Sequence, residues 1–536
     1  MENNDPLLID TSRGFSVFYK KRHLYNSIDP KLRAVLRAEQ TQLQTDTLYI
    51  INSPLLFYGV SEILSKLPSG SHIICFELSQ SLYKLSKNNI PENIFKSEFL
   101  TFIDSTNTDV IYDKINNLGI WNFRRVKAIN LSGGYALHAG DYKYIIENID
   151  NNIQEYWKNR ITLIHMAPLW IKNILLNLFK FHKEKRLPIS YIFPKTNCPI
   201  LVAGAGESLE RSIDFIKKQR KFFKVLAVDT AISTLLENGI EPDYIVAVDA
   251  QIYNFYDFFK VRDKHIPLFF DISGYPGILS VLKGNVTSFI SNFAKTKLLD
   301  RLEKYNLLPK RLPALGSVGL TALYIALEIS SNNVFFTGLD FSYKIGKSHA
   351  NGSPDHFLGL STTNRLKPLE QPGIYYVRPL IHTKDKQGNP CISDLILSSY
   401  SKLKASTFKG NPRLKDIGIG GLFNGSEFQN TSEISLLNNC KSQNDPIFEQ
   451  NSSFLDNYQN FISNELELLK KVYSETFQYL SEKGDKSENL MKLLKEADYI
   501  YIHFPDKSPN PTLEPGYLKR ILVSCGYYIN ILERYI

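Results

Sequence analysis

The chain has 536 residues, of which 43% are hydrophobic and 22% charged, and it carries a formal net charge of +9. That length allows about three domains, and the composition is ordinary for a globular protein. The basic residues are scattered rather than gathered in a block, which suits an anionic ligand and disfavours nucleic acid as a partner.

The five cysteines, Cys75, Cys198, Cys391, Cys440 and Cys525, stand apart in sequence. No CxxC pair exists, so the common zinc and thioredoxin-like spacings are excluded, and so sparse a set suggests a reducing compartment. The polar, acidic opening MENNDPLLIDTSRGF has no signal-peptide core. Lys172 and Asn173 interrupt the apolar run MAPLWIKNILLNLF, which leaves no stretch of the ~18 residues a membrane span needs. A cytoplasmic protein without a transmembrane segment is expected.

In chain order, TLYIIN, HIICFEL and RVKAINL read as buried strands between helical runs such as YGVSEILSKL and DVIYDKINNL. This alternation predicts a Rossmann-like α/β domain over 1–184. Its first strand-to-helix turn, NSPLLFYG, lacks the GxGxxG fingerprint. Glu77 sits where such domains often keep a ribose-binding acid, but without that turn a scaffold role is the better reading.

The proline-bearing stretch EKRLPISYIFPKTNCP marks a boundary near 185, and a second α/β domain is predicted over 185–430. Its strands are FKVLAVD, DYIVAVD, PLFFDI and NVFFTGLD. The helix TAISTLLENGIEP closes on Gly239 with Pro242 beyond it, and SVGLTALYIALEIS opens on a serine cap. Between Phe341 and Asn430 the periodicity weakens, as in a segment that is functional or disordered. From Thr431 the pattern is helical, giving a third domain over 431–536.

Four constellations could carry chemistry. In LVAGAGESLE, Gly204, Ala205, Gly206 and Ser208 join a strand to a helix N-terminus, where free N–H groups can hold a phosphate; a tight turn without ligand is the plain alternative. Asp229, Asp249 and Asp340 end predicted strands and would form an acidic rim on the edge where open α/β sheets bind ligands. Ser317, Val318, Gly319 and Thr321 lie in the first turn of a helix able to meet an anion, or are simply capped by Ser317. The loop FSYKIGKSHANGSPDH supplies Tyr343, Lys344, Lys347, His349 and His356, with His349 the first choice for acid–base work. No DxD occurs, and GLDFSYKIGKS is no Walker A loop because seven residues separate Gly338 from Gly346. A Mg²⁺ held mainly by substrate phosphates and one aspartate stays open.

Taken in order, VAGAGESLE, AVDTAISTLLENGIEPDYIVAVD, SVGLTALYIALEISSNNVFFTGLDFSYKIGKSHANGS and IGIGGLFNGSEF resemble the central domain of the motility-associated factor (Maf) proteins. That domain is similar also to the archaeal 6-hydroxymethylpterin pyrophosphokinases. The resemblance implies two Rossmann-like parallel-sheet domains, the central one sialyltransferase-like, followed by a helical C-terminal domain. It implies an inverting transfer of a nonulosonic sugar, of pseudaminic or legionaminic type, from a CMP donor to Ser or Thr of flagellin, with no cofactor required. By the same resemblance Gly204 to Gly206 and Asp229 or Thr230 meet the nucleotide, and Tyr343 stabilises the leaving phosphate. His349 stands where a second tyrosine is usual and would hold that phosphate, leaving His356 as base; Ala205 replaces an asparagine. The rivals are a Mg²⁺-using pterin pyrophosphokinase with Asp229, Asp249 and Asp340 as ligands, and a non-catalytic flagellin-binding factor.

Overall fold

The structure, a computed structural model, describes residues 5–184, 193, 195–344, 347–366, 368, 378–434, 440, 454–482 and 487–534. The chain divides into two compact units. One comprises residues 1–165 with 502–511, and the other residues 166–501 with 512–536. The expected boundary near 185 falls on residues outside the described ones.

The first unit opens with an antiparallel sheet of β1 (Leu7–Asp10), β2 (Phe15–Tyr19) and β3 (Arg22–His23). Its main sheet is parallel, in the order β6-β5-β4-β7, from β4 (Thr47–Asn52), β5 (His72–Phe76), β6 (Leu100–Phe102) and β7 (Arg125–Ile129). All six residues of β4 are buried, as expected of a strand covered on both faces. Chain order reverses between β4 and β7, the point where such sheets usually bind ligands. Here the chain itself lies across that point. The Gly133 N–H donates to Leu24 O at 2.6 Å, and the Tyr25 hydroxyl donates to Pro54 O at 2.9 Å. Glu77 is likewise spoken for, accepting from Ser53 Oγ, Tyr142 Oη and the N–H groups of Leu78 and Ser79. The scaffold reading of this region agrees with these contacts.

The second unit is built on an eight-stranded parallel sheet in the order β13-β12-β11-β10-β9-β8-β14-β17. Its strands are β8 (Ile200–Ala203), β9 (Lys224–Val228), β10 (Tyr244–Ala247), β11 (Leu268–Asp271), β12 (Val286–Ser291), β13 (Lys310–Leu312), β14 (Val334–Thr337) and β17 (Leu414–Asp416). Between them in sequence, β15 (Leu380–Lys384) and β16 (Pro390–Asp394) form an antiparallel hairpin. The stretch after Phe341 is therefore more regular than its sequence pattern suggests. Among the described residues it adds that hairpin, the helices Pro354–Thr362 and Leu395–Thr407 and the edge strand β17.

Three of the C-terminal helices, Phe454–Glu482, Ser487–Glu496 and Pro515–Glu533, belong to this unit. Glu465, buried on the first of them, accepts from Arg301 Nε and Nη2 at 2.7 Å each and from Tyr499 Oη at 2.8 Å. A two-pronged arginine–carboxylate pair of this kind fixes orientation as well as position.

The helix Ala139–Lys183 runs 45 residues and is long and apolar enough, by composition, to cross a membrane, with mean hydropathy 1.3 in its most apolar window. Its second half has another use for that surface. Asn173 and Asn177 are buried and donate to the backbone carbonyls of Ala250, Ser273, Ile272 and Gly274 at the sheet edge.

Candidate active site

Chain order in the large sheet reverses between β8 and β14, and the segments that follow these two strands are packed unusually close. Gly204 N–H donates to Thr337 O, and Gly206 N–H donates to Gly338 O, both at 2.8 Å. Gly338 holds φ +72°, and a Cβ on it would lie 2.1 Å from Gly204 O. Only glycine fits there. A Cβ on Gly206 would lie 2.5 Å from Asp340 Oδ2.

Asp340 explains the second glycine. Its carboxylate accepts from the Ser208 N–H at 2.9 Å and from Ser208 Oγ, so it caps the helix Ser208–Gln219 that follows β8. Burial lifts its pKa to about 6, against the Ser208 donors and Lys386, which favour the charged form. The free space expected at the Gly204–Ser208 turn is thus filled by a carboxylate from the neighbouring strand. Lys344 and Lys347 are also engaged, with Glu207 and Glu210 on the same first helical turn.

The helix Val318–Ile329 begins at the same edge and is finished differently. Ser317 is its N-cap residue in extended conformation, but its side chain makes no capping hydrogen bond. Thr321 donates to Ser317 O through both N–H and Oγ1, at 3.1 Å each. The N–H groups of Val318, Gly319 and Leu320 meet no acceptor among the described residues. Leu339 joins the two regions, since Cβ atoms built on Gly204 and on Gly319 would each lie 2.5 Å from Leu339 Cδ2.

Asp229, Asp249 and Asp271 follow or end β9, β10 and β11, as the strand pattern predicts for the first two. Asp229 accepts from Thr230 N–H at 2.8 Å and Thr230 Oγ1 at 3.0 Å. Burial drives its pKa well upward, and the charges of Asp249 and Asp257 push it further. Burial and Asp271 raise Asp249, which accepts from Asn254 Nδ2 at 2.6 Å. Asp257 is lifted to about 7 by burial and by repulsion from Asp355 and Asp249, with His349 opposing.

His349 completes this cluster. Its segment is pinned over the glycine turn by the Ala350 N–H, which donates to Ala205 O at 2.8 Å. His349 Nδ1 lies 2.9 Å from Asp355 Oδ2, close but off the line of a hydrogen bond. Asp355 is held below the ordinary carboxylate range chiefly by that imidazole. His356 is placed differently, because its Nδ1 accepts the Gly352 N–H at 3.3 Å within the capped start of the helix Pro354–Thr362.

Tyr343 stands at a second carboxylate, Asp394. It is buried, its backbone pairs with Ile392, and its hydroxyl donates to Asp394 Oδ2 at 3.2 Å. Arg378 Nη1 donates to the same oxygen at 3.2 Å. Despite burial, Asp394 stays below the ordinary carboxylate range because the Leu397 N–H, Arg378 and Tyr343 all donate to it. Tyr400 touches Gly316, just before the open helix, and feels the charges of Asp249, Arg378 and Asp394.

The structure therefore gathers Asp229, Thr230, Asp249 and His349 in one cluster with Asp257 and Asp355, joins Tyr343 to Arg378 through Asp394, and turns Asp340 and Ser208 toward each other. Among the described residues no three His, Cys, Asp or Glu side chains converge as ligands of one ion. Sequence reasoning missed Asp257, Asp355, Arg378, Asp394 and Tyr400. Asp394 had a readable signal, an N-cap aspartate before LILSSYSKL.

Residues 172–346 match the sequence family described as 6-hydroxymethylpterin diphosphokinase MptE-like. The chain as a whole is similar in fold to a solved Maf glycosyltransferase from Magnetospirillum magneticum AMB-1. The TM-score is 0.57 at 12% identity, covering 100% of this chain and 87% of that one. An uncharacterized protein of Treponema pallidum (strain Nichols) is 25% identical over 99% of this chain and 95% of its own length. A second uncharacterized protein of that organism is 33% identical over 92 residues, 17% of this chain and 42% of its own. The MptE-like domain expected from the motifs is thus found in the family match, and the Maf-like layout in the fold.

Proposed function

We propose that the chain is an inverting glycosyltransferase that moves a nonulosonic sugar from a CMP donor to a Ser or Thr hydroxyl of flagellin. The observations that carry this reading are the uncapped start of the helix Val318–Ile329 and the His349–Asp355 pair, each tied to the Gly204–Gly206 turn, the first through Leu339 and the second through the Ala350 N–H on Ala205 O. The first offers a seat for a phosphate, and the second offers a base. The fold shared with a Maf glycosyltransferase supports it.

In this mechanism the bond from the anomeric carbon to the phosphate oxygen breaks, leaving positive charge on the sugar and negative charge on CMP. The N–H groups of Val318 and Gly319 meet the growing phosphate charge, and Arg378 adds a cation. Each good donor of this kind is worth on the order of 3–4 kcal/mol. Asp394, which also accepts from the Tyr343 hydroxyl, holds Arg378 in place. The acceptor hydroxyl bonds to the anomeric carbon from the opposite face and gives its proton to Nε2 of His349. The Asp355 charge, 2.9 Å from Nδ1, favours the tautomer with its proton there and so leaves Nε2 free to accept. His356 is the weaker base candidate, because the Gly352 N–H occupies its acceptor nitrogen.

The test is His349→Ala, read by transfer rate and by titration with CMP. A fall in kcat of about 10²–10⁴-fold with CMP affinity unchanged is expected. Loss of CMP affinity instead would move His349 to the phosphate. The MptE-like match favours a second reading, pyrophosphoryl transfer from ATP–Mg²⁺. Against its expected ligand set, Asp340 is committed to Ser208. Binding of ATP–Mg²⁺ without binding of CMP would select that reading.

A further inference from the structure

Beside the candidate site lie two short segments whose outer faces are apolar and exposed among the described residues. The first is the 3₁₀ stretch Ile252–Val261. Three residues per turn put Tyr253, Tyr256 and Phe259 on one stripe, and all three are exposed, at 76%, 57% and 51%. Asp257 and Phe258 of the same stretch point inward and are buried. The second is the helix Pro354–Thr362, none of whose residues is buried although it carries Phe357, Leu358 and Leu360. A helix in a folded protein normally buries its apolar stripe.

The two faces are neighbours, since Lys260 Nζ lies 4.4 Å from the centre of the Phe357 ring. They are also continuous with the candidate site. Asp257 on the first segment and Asp355 on the second repel one another, and Asp355 pairs with His349. The charges at the margin are internally paired, Lys260 with Glu237, Lys264 with Glu241 and Arg262 with Asp263. What remains is an electrically quiet surface of aromatic and aliphatic side chains. Aromatic rings alone would suit a sugar, but Ile252, Leu358 and Leu360 have no stacking surface and fit a polypeptide. Exposed apolar patches of this kind commonly mark interaction sites.

We propose that this face docks an apolar segment of the acceptor polypeptide and delivers its hydroxyl to His349. This rests on the glycosyltransferase reading for the chemistry, but the docking can be measured without it. The experiment compares the full chain with two surface variants, Tyr256→Ser/Phe259→Ser and Phe357→Ser/Leu358→Ser. Purified flagellin is the binding probe and CMP the donor-side control. At least a tenfold loss of flagellin affinity in both variants, with CMP affinity within twofold of the parent, is expected. Unchanged flagellin affinity, or no flagellin binding by the parent, overturns the proposal. Loss of self-association by sedimentation, or of binding to phosphatidylglycerol vesicles, with flagellin binding unaffected, would also overturn it by assigning the face to a second copy or to a membrane. Flagellin binding lost in the variants while the parent binds no CMP would keep the docking face and reject the CMP-dependent chemistry.

Discussion

The helices Ser208–Gln219 and Val318–Ile329 both start at the carboxyl edge of the large sheet, on either side of Leu339, and the protein finishes their N-termini in opposite ways. The first follows the most recognisable motif in the chain, a glycine turn, and its leading N–H and hydroxyl groups are taken by Asp340. The second follows an unremarkable serine, and its leading N–H groups face no acceptor among the described residues. A glycine turn therefore has two physical meanings. It lets a backbone approach a ligand, or it lets two strands approach each other, and here the contact between Gly204 and Gly338 accounts for it.

The sharpest way to break the contrast is to empty the filled terminus. Asp340→Ala would strand the Ser208 N–H and remove the acceptor of Ser208 Oγ, while Lys386 keeps its ion pair with Asp416. Lost capping and the unpaired buried groups together should cost about 3 kcal/mol of stability, measured by urea unfolding. If the reading of a structural carboxylate is right, CMP affinity per folded molecule should stay within a few-fold of the parent. A selective loss of CMP binding with normal stability would return Asp340 to the ligand.

A second difference is electrostatic. Asp340 is met by the Ser208 donors and Lys386, whereas Asp229, Asp249 and Asp257 crowd one another. The folded pKa of Asp257, about 7, lies above its unfolded value, so the folded state binds more protons between about pH 4 and 7. Stability should therefore fall as pH rises through that window and level off above it. Asp257→Asn removes the penalty. It should gain on the order of 2 kcal/mol at pH 8 and almost nothing at pH 4, read from unfolding midpoints at the two pH values. An equal gain at both would mean that packing, not charge, is responsible.

Much of this was legible in the sequence because buried parallel strands read as continuous apolar runs. TLYIIN is β4 residue for residue, and FKVLAVD, DYIVAVD and PLFFDI each contain their strand. The strand-terminal positions of Asp229 and Asp249 followed from that. The hairpin β15–β16 did not, because HTKDKQGNPCISD is a partly exposed ribbon with little apolar alternation. The capping partnership of Ser208 with Asp340 joins residues 132 apart in sequence, and no local pattern encodes such a contact. Asp355 and Asp257 were missed for the same reason, since their significance lies in the imidazole and the carboxylates that the fold brings beside them.

The contrast can also be sharpened by making the open terminus resemble the filled one. Ser317→Asp places a carboxylate at the N-cap of the helix Val318–Ile329, within reach of the same N–H groups that would meet a phosphate. The substitution should raise stability by roughly 0.5–1 kcal/mol through capping and the helix dipole. It should also weaken CMP binding at least tenfold, because the new charge occupies the seat and repels the ligand. Ser317→Asn would cap the helix without the charge, and an intermediate loss of affinity would separate occupation from repulsion. A protein that gains stability yet binds CMP as before would mean that the nucleotide phosphate sits elsewhere on the rim. Arg378 would then be the next group to remove, as the one charged donor described beside Tyr400 that bonds only to a single oxygen of Asp394 among the described residues.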